Sequence, residues 1–209
     1  MRILVILGHP GRDSFNRAIA GRVLKRLHAA GHQVMWHNLY DERFEPLLSP
    51  AELSKAAQLS DDLIQHCQEL AAADGIIVIH PNWWGQPPAI VKGWIDRVFR
   101  PGVAYQFAAD DTGAGMPVGL LRAGTAVVLN TSDTPAERED SVFGDPLEIL
   151  WQKCLFEFCG VQRFFRRVFR VVVTSTPEQR AAWLDEVEEI VGYYFPKAGR
   201  SDDTPMFGP

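Results

Sequence analysis

Gly75-Ile76-Ile77-Val78-Ile79-His80 runs directly into Pro81-Asn82-Trp83-Trp84-Gly85-Gln86-Pro87-Pro88, and this junction decides the fold. An unbroken apolar run of this length reads as a strand covered on both faces, as in a parallel sheet. The loop that follows leads into a helix carrying Ile90, Val91, Trp94, Ile95 and Val98 on one side, with Pro88 in its first turn.

The same alternation extends in both directions. Upstream, residues 2–7 are a second apolar run, and Phe15, Ile19, Val23, Leu24 and Leu27 then fall at helical spacing, with Asp13 or Ser14 as cap and Gly31 as the C′ residue. Residues 33–37 form a weaker strand. The stretch from Asn38 to about Ser60 loses the pattern, and a helix over about 61–73 presents Leu63, Ile64, Cys67 and Leu70. Downstream, residues 100–124 are rich in glycine and proline and predict a long excursion over one end of the sheet, functional or disordered. Residues 125–130 are the fourth strand, a polar loop spans 131–144, and a helix over about 145–159 ends at Gly160. A fifth strand within 168–173 precedes a helix marked by Thr176 as cap, Pro177 in its first position and Gln179 closing a capping box. Five β-α repeats predict an α/β, doubly wound, five-stranded parallel sheet in a single domain over 1–196, with 197–209 as a flexible tail.

Composition narrows the function classes. The chain has 209 residues, 46% of them hydrophobic, and 21 Lys and Arg against 26 Asp and Glu, a net charge of -5. That balance disfavours nucleic acid as a partner. No window approaches the roughly 18 apolar residues of a membrane span, so a soluble protein without a transmembrane segment is expected. Cys67, Cys154 and Cys159 make neither a disulfide framework nor a zinc site, and they read as small buried hydrophobes in a reducing cytosol.

In sheets of this type ligands bind beyond the carboxyl ends of the strands. Three loops emerge there. Gly8 through Asn16 lacks both the Walker pattern and the three-glycine dinucleotide fingerprint, yet its small and polar residues at a helix start suit an anion as well as an ordinary cap. The 81–88 loop combines Trp83 and Trp84 with three prolines, as a rigid wall for a flat conjugated ring would; alternatively, one indole packs in the core and the other covers a helix end. Asn130-Thr131-Ser132-Asp133-Thr134 offers amides and hydroxyls to a developing anion, or is simply a turn. His9 and His80 lack a carboxylate at ligand spacing, so no metal site is predicted, and the charge run Glu137, Arg138, Glu139, Asp140 reads as a solvated face.

These residues resemble a known family. Strand one followed by His9, Ser14-Phe15-Asn16 and Ala18 is similar to the first flavin-phosphate loop of the NAD(P)H:quinone oxidoreductases of the DT-diaphorase type, which have a flavodoxin-like fold. Trp84, Pro88-Ala89-Ile90, Lys92-Gly93-Trp94 and Arg97-Val98-Phe99 resemble the second flavin loop and its helix. Ala104-Tyr105, Phe107, Gly144-Asp145 and Phe158-Cys159-Gly160-Val161 follow in the family's order.

The resemblance implies a cytoplasmic homodimeric flavoprotein, holding FAD or alternatively FMN, that passes two electrons from NAD(P)H to a quinone. It implies that His9, Ser14, Phe15 and Asn16 hold the flavin phosphates, that Pro81, Asn82, Trp83 and Trp84 lie along the isoalloxazine, and that Thr131 and Ser132 sit near its pyrimidine end. Thr131 is then a catalytic candidate, together with Tyr105 and Phe107, which wall the substrate pocket, often from the partner subunit. The tyrosine and histidine that mammalian members carry beside the flavin are missing, with Glu137 and Phe143 in that region. Azo or nitroaromatic reduction, or a flavin-bearing regulatory subunit of a potassium efflux system, are the alternatives.

Overall fold

The computed structural model describes residues 1–54, 57–108 and 115–197. The tail expected to be flexible therefore lies, from residue 198 onward, outside the described residues, as does the tip of the 100–124 excursion.

Among the described residues, seven strands and six α-helices follow one another as β1 (Arg2–Leu7), α1 (Phe15–Ala29), β2 (Gln33–Asn38), α2 (Asp61–Ala72), β3 (Gly75–Pro81), α3 (Ala89–Val98), β4 (Tyr105–Gln106), β5 (Val118–Gly119), β6 (Thr125–Ser132), α4 (Ala136–Arg138), α5 (Pro146–Ile149), β7 (Arg163–Arg170) and α6 (Pro177–Tyr194), with short 3-10 and π-type turns between some of them. Five of the strands pair in parallel in the order β2-β1-β3-β6-β7. The chain first winds outward to β2, then returns across β1 to β3, so the order reverses between β1 and β3. The short β4 and β5 form an antiparallel hairpin inside the 100–124 excursion.

The continuous apolar strands are explained by what covers them. Ile3, Val5, Leu7, Ile77, Ile79, Val127, Leu129 and Phe169 face α1 and α6, whereas Leu4, Ile6, Ile76, Val78, Ala126 and Val128 face α2, α3 and the Leu147–Phe156 region. With both sheet faces buried, the period-two alternation of a half-exposed strand disappears. Helix starts follow the sequence signals. Ser14 accepts from Arg17 N, Ser60 from Leu63 N and Thr176 from Gln179 N, while Gly31 turns α1 off at φ +78°.

Four expectations need correction. The fifth strand begins at Arg163, five residues before the expected 168, because arginine side chains occupy positions where the sequence reading looked for apolar ones. Arg163 lies over the rings of Tyr193 and Tyr194, Arg166 bonds Asp145 and Glu148, and Arg167 bonds Glu186. Ile64 is on the outer side of α2 and exposed. Cys154 is exposed on the turn of wide, π-type helix over Leu150–Glu157, although Cys67 and Cys159 are buried. Glu139 does not belong to a solvated face, since only 1% of it is exposed.

The excursion after β2 is a strap. Pro46 crosses α3 at Gly93, where a Cβ would lie 2.2 Å from the Pro46 carbonyl oxygen and 2.4 Å from its Cα. Gly93→Ala should gain about 1 kcal/mol in helix propensity. The clash is with backbone, however, and forcing the strap outward costs about 2–3 kcal/mol. The expected net result is a variant that melts several degrees lower; a melting temperature equal to or above that of the parent would contradict this packing.

Candidate functional site

The carboxyl ends of β1, β3 and β6 lie side by side, with Leu7 paired to Ile79 and Pro81 to Thr131. Three loops leave from these ends, and hydrogen bonds tie them into one surface. Asn16, in the first turn of α1, donates Nδ2–H to Thr131 Oγ1 at 2.8 Å, and Asn82 N–H donates to the Thr131 carbonyl at 2.7 Å. Both Asn16 and Thr131 are buried, and Asn16 Oδ1 has no hydrogen-bond partner among the described residues. A buried amide oxygen without a donor costs free energy unless a ligand hydroxyl or N–H supplies one.

Around it stands the start of α1. Its first turn contains no acidic residue, and its leading amides lack intrahelical acceptors by position. Those N–H groups and the positive end of the helix dipole favour an anion. Ser14 Oγ accepts from Arg17 N–H and keeps its own proton to donate to such an anion, whereas its backbone N–H already donates to the Gly11 carbonyl at 3.4 Å. Phe15 turns its ring inward against Phe169 and Trp183 and offers only its amide. His9 Nδ1 accepts from Gly11 N–H at 3.0 Å, which leaves Nε2–H as the donor of the neutral ring. Burial keeps that ring neutral by lowering its pKa below 6.5.

The tryptophan loop is a tight turn. Trp83 and Gln86 exchange both backbone hydrogen bonds at 3.0 Å, and the two residues between them have positive φ, +58° at Trp84 and +70° at Gly85. Two successive positive φ values are what a type I′ turn requires, and a tryptophan in the first of these positions is strained. The strain presents the indole to solvent, with Trp84 101% exposed and Trp83 42%. Neither indole enters the core, which removes the packing alternative. His9 and Trp83 approach each other, ring centroids 6.2 Å apart.

Behind the strand ends lies a network that the sequence reading missed. His80 is fully buried. Its Nδ1–H donates to the Pro81 carbonyl at 2.8 Å, and its Nε2 accepts from Trp151 Nε1–H and faces the Asn130 amide, each at 3.0 Å. Burial above all, with the Arg166 charge adding to it, drives the His80 pKa down to about 3. Asn130 Oδ1 in turn accepts from Arg166 Nε at 2.7 Å, and Arg166 bonds Asp145 and Glu148. This chain spans β3, β6 and β7 and fixes the β3 tip that carries the tryptophan turn.

Tyr105 and Phe107 lie elsewhere. They pack at 5.9 Å from each other and, with Leu48, Leu53, Phe99 and Arg100, line a cavity of about 990 Å³ between the strap and the hairpin. None of the described residues lining it comes from 8–16, 81–84 or 131–132. Ser132 Oγ accepts from Thr134 N–H at 3.1 Å, which leaves its own proton to donate.

A family model of the flavodoxin-like fold matches residues 1–191. The chain belongs to the flavodoxin-like family. Among curated proteins, this flavodoxin-like chain is 29% identical to NAD(P)H dehydrogenase [quinone] 1 of Cavia porcellus, over 99% of its length and 79% of the relative's. It is 31% identical to an uncharacterized NAD(P)H oxidoreductase of Haemophilus influenzae, over 88% and 91%. Among solved structures, an FMN-dependent NADH-azoreductase from Bacillus anthracis in complex with FMN superposes with a TM-score of 0.74 at 18% identity, covering 92% of this chain and 98% of that one, a likeness of fold alone. No helix among the described residues of the flavodoxin-like chain is long and apolar enough to cross a membrane.

A second titratable cluster sits under β2. His37 donates from Nδ1 to Glu42 at 3.0 Å and from Nε2 to Glu69 at 2.5 Å, and its ring lies 4.0 Å from that of His66. Trp94 Nε1–H can only donate, so His66 Nδ1 holds the lone pair, and in the neutral ring the Nε2 proton faces Glu42 at 3.6 Å. His37, Glu42 and His66 have ligand atoms close enough to share an ion, while His37 Nε2 is engaged with Glu69 and His66 Nδ1 with Trp94. Burial opposes charge on His37 and Glu42, yet their mutual bonds outweigh it, raising the His37 pKa and lowering that of Glu42 to about 2.

Proposed function

We propose that this protein is a flavin-dependent NAD(P)H:quinone oxidoreductase, acting in the cytoplasm as a homodimer. The observation that carries the reading is the convergence, on three adjacent strand ends, of an acid-free helix start, a buried Asn16 oxygen in need of a donor, and a turn that holds two indoles in solvent. An elongated ligand with an anionic end and a flat ring end fits that surface. Relatives named as quinone dehydrogenases support the reaction class.

The bound flavin would supply the two-electron redox chemistry, taking hydride from the nicotinamide and delivering it to the acceptor. The chain's own residues bind and orient. The Ser14 hydroxyl and the amides of Phe15 and Asn16, with His9 Nε2–H, hold phosphate. Asn16 Oδ1 accepts from a polyol hydroxyl. Pro81, Asn82, Trp83 and Trp84 lie along the ring system and keep water from its face. The Thr131 hydroxyl, which already accepts from Asn16, is free to donate its proton toward the pyrimidine edge, and the amide at Ser132 stands beside it. Such donors stabilise negative charge by about 2.7–4 kcal/mol each when preorganised. FAD is the proposed cofactor, on the Ser14-Phe15-Asn16 resemblance, with FMN as the alternative.

Tyr105 and Phe107 serve the nicotinamide and quinone pocket of a second copy. Two observations support this. They lie apart from the tryptophan turn of their own chain, and the exposed apolar side chains of Leu47, Leu48, Leu53, Phe107, Met116 and Val118 need a cover. The two buried cysteines and the free Cys154 fit a reducing compartment.

The test is direct. Purified protein should retain FAD or FMN, identified by mass, and anaerobic NADH or NADPH should bleach it. Rates with a quinone, an azo dye and a nitroarene then rank the acceptors. Trp84→Ala should weaken flavin binding and turnover together, by about tenfold or more, as expected for loss of one stacked aromatic. A variant with full flavin content and rate would remove the turn from the site.

A further inference from the structure

Glu139 lies in a run of charged residues, yet its side chain is buried and directed at the back of the tryptophan turn. Its Oε1 accepts from Asn82 Nδ2–H at 3.0 Å. The other end of the same amide, Asn82 Oδ1, accepts from Gly85 N–H at 2.9 Å. Asn82 thus has one orientation, because a flipped amide would set its oxygen against the carboxylate and its NH₂ against the Gly85 N–H. Arg170 stands beyond Glu139, with Nη1 at 3.8 Å from Oε2, and no closer partner of that nitrogen exists among the described residues. The wide helical turn over Glu139–Phe143 and the left-handed residues Gly144 and Asp145 bring the carboxylate inward, and Pro146 packs against Gly85 from the same side.

We propose that Glu139 is a positioning residue for the reaction. By fixing the Asn82 amide it locks the strained Trp83–Gln86 turn, and through that turn it sets the aromatic wall of the flavin site. The proposal rests on the flavin reading above for its consequence in function, but the lock itself belongs to the protein alone. A charged acceptor suits the task because a hydrogen bond to a carboxylate is about twice as strong as a neutral one. The turn must also be held against the backbone strain at Trp84.

The test compares Glu139→Ala, Glu139→Gln and Asn82→Ala with the parent. Amide exchange of Gly85 and Gln86 in the apoprotein, followed by NMR with global stability measured alongside, should quicken about tenfold in Glu139→Ala, the worth of one charge-assisted bond. Glu139→Gln, which keeps an acceptor oxygen but loses the charge, should recover about half of the protection. Flavin affinity should follow the same order. Asn82→Ala removes the other end of the bond, so combining it with Glu139→Ala should add little to either single change. Unchanged exchange in Glu139→Ala, failure of glutamine to rescue, or additive effects in the double variant would each overturn the proposal. A parent protein that takes up neither FAD nor FMN would sink the flavin reading instead, and would leave the exchange comparison intact.

Discussion

Acidification from pH 6.5 to pH 3 is expected to cost this protein about 4–5 kcal/mol through His80 alone, a large share of the 5–15 kcal/mol typical of a folded domain. The His80 ring is buried without any acceptor for a second proton, since Nε2 receives the Trp151 N–H, and its pKa falls from 6.5 to about 3. Above pH 6.5 the ring is neutral in the folded and unfolded chains alike. Below it the unfolded chain binds a proton that the folded one refuses, so stability declines until about pH 3 and then levels. Glu42, with its pKa lowered from 4.5 to about 2, adds a loss that begins only below pH 4.5. Being over a third exposed, it contributes about 1 kcal/mol. His37 works in the opposite sense, because its raised pKa means that its contribution is whole below 6.5 and fades as alkali removes its proton. Urea unfolding at pH 6.5 and 4.5, repeated in a His9→Gln variant because the lowered pKa of His9 acts in the same sense, reads His80. A midpoint that does not move between those values would show that His80 takes up a proton in the folded state.

Loss of Arg97 should be the most damaging single truncation outside the apolar core. The guanidinium is almost buried and grips Glu52 through Nε at 2.8 Å and Nη2 at 3.0 Å, donates Nη1–H to the Glu45 carbonyl, and lies over the Phe44 ring. Its hydrogen bonds hold the Glu52 carboxyl below its usual pKa. Arg97→Ala leaves that nearly buried carboxylate without its cation and with Ser49 as its remaining donor, at a cost of about 3–5 kcal/mol. The joint replacement Arg97→Met with Glu52→Leu removes both charges and keeps the volume, and should recover most of the loss. Denaturant midpoints of the three proteins decide the matter; a double variant as unstable as Arg97→Ala would mean that the strap depends on the charges themselves.

The fold was legible because its signals are local and apolar. The strands at residues 2–7, 75–80 and 125–130 are so continuously hydrophobic that only a sheet covered on both faces can use them, and Ser14, Gly31 and Thr176 punctuate the helices where they stand. The fifth strand was read too late because Arg163, Arg166 and Arg167 resemble surface residues until their partners are known. Those partners, Tyr193, Asp145 and Glu186, are distant in sequence. The same limit hid Glu139. Its spacing of four from Phe143 and its place between Glu137 and Asp140 say nothing of Asn82, which is 57 residues away. Only a pairing across the fold turns an ordinary carboxylate into a buried one.

That arginine-bearing β7 has one more consequence. It is the last strand on its side of the sheet, and four of its eight residues are arginine. A foreign chain adding itself along this margin would have to accommodate guanidinium groups already engaged with Glu186, Asp145 and Tyr194, and would lose hydration without recovering it. Paired charges along an edge strand are one of the devices by which sheets discourage edge-to-edge addition.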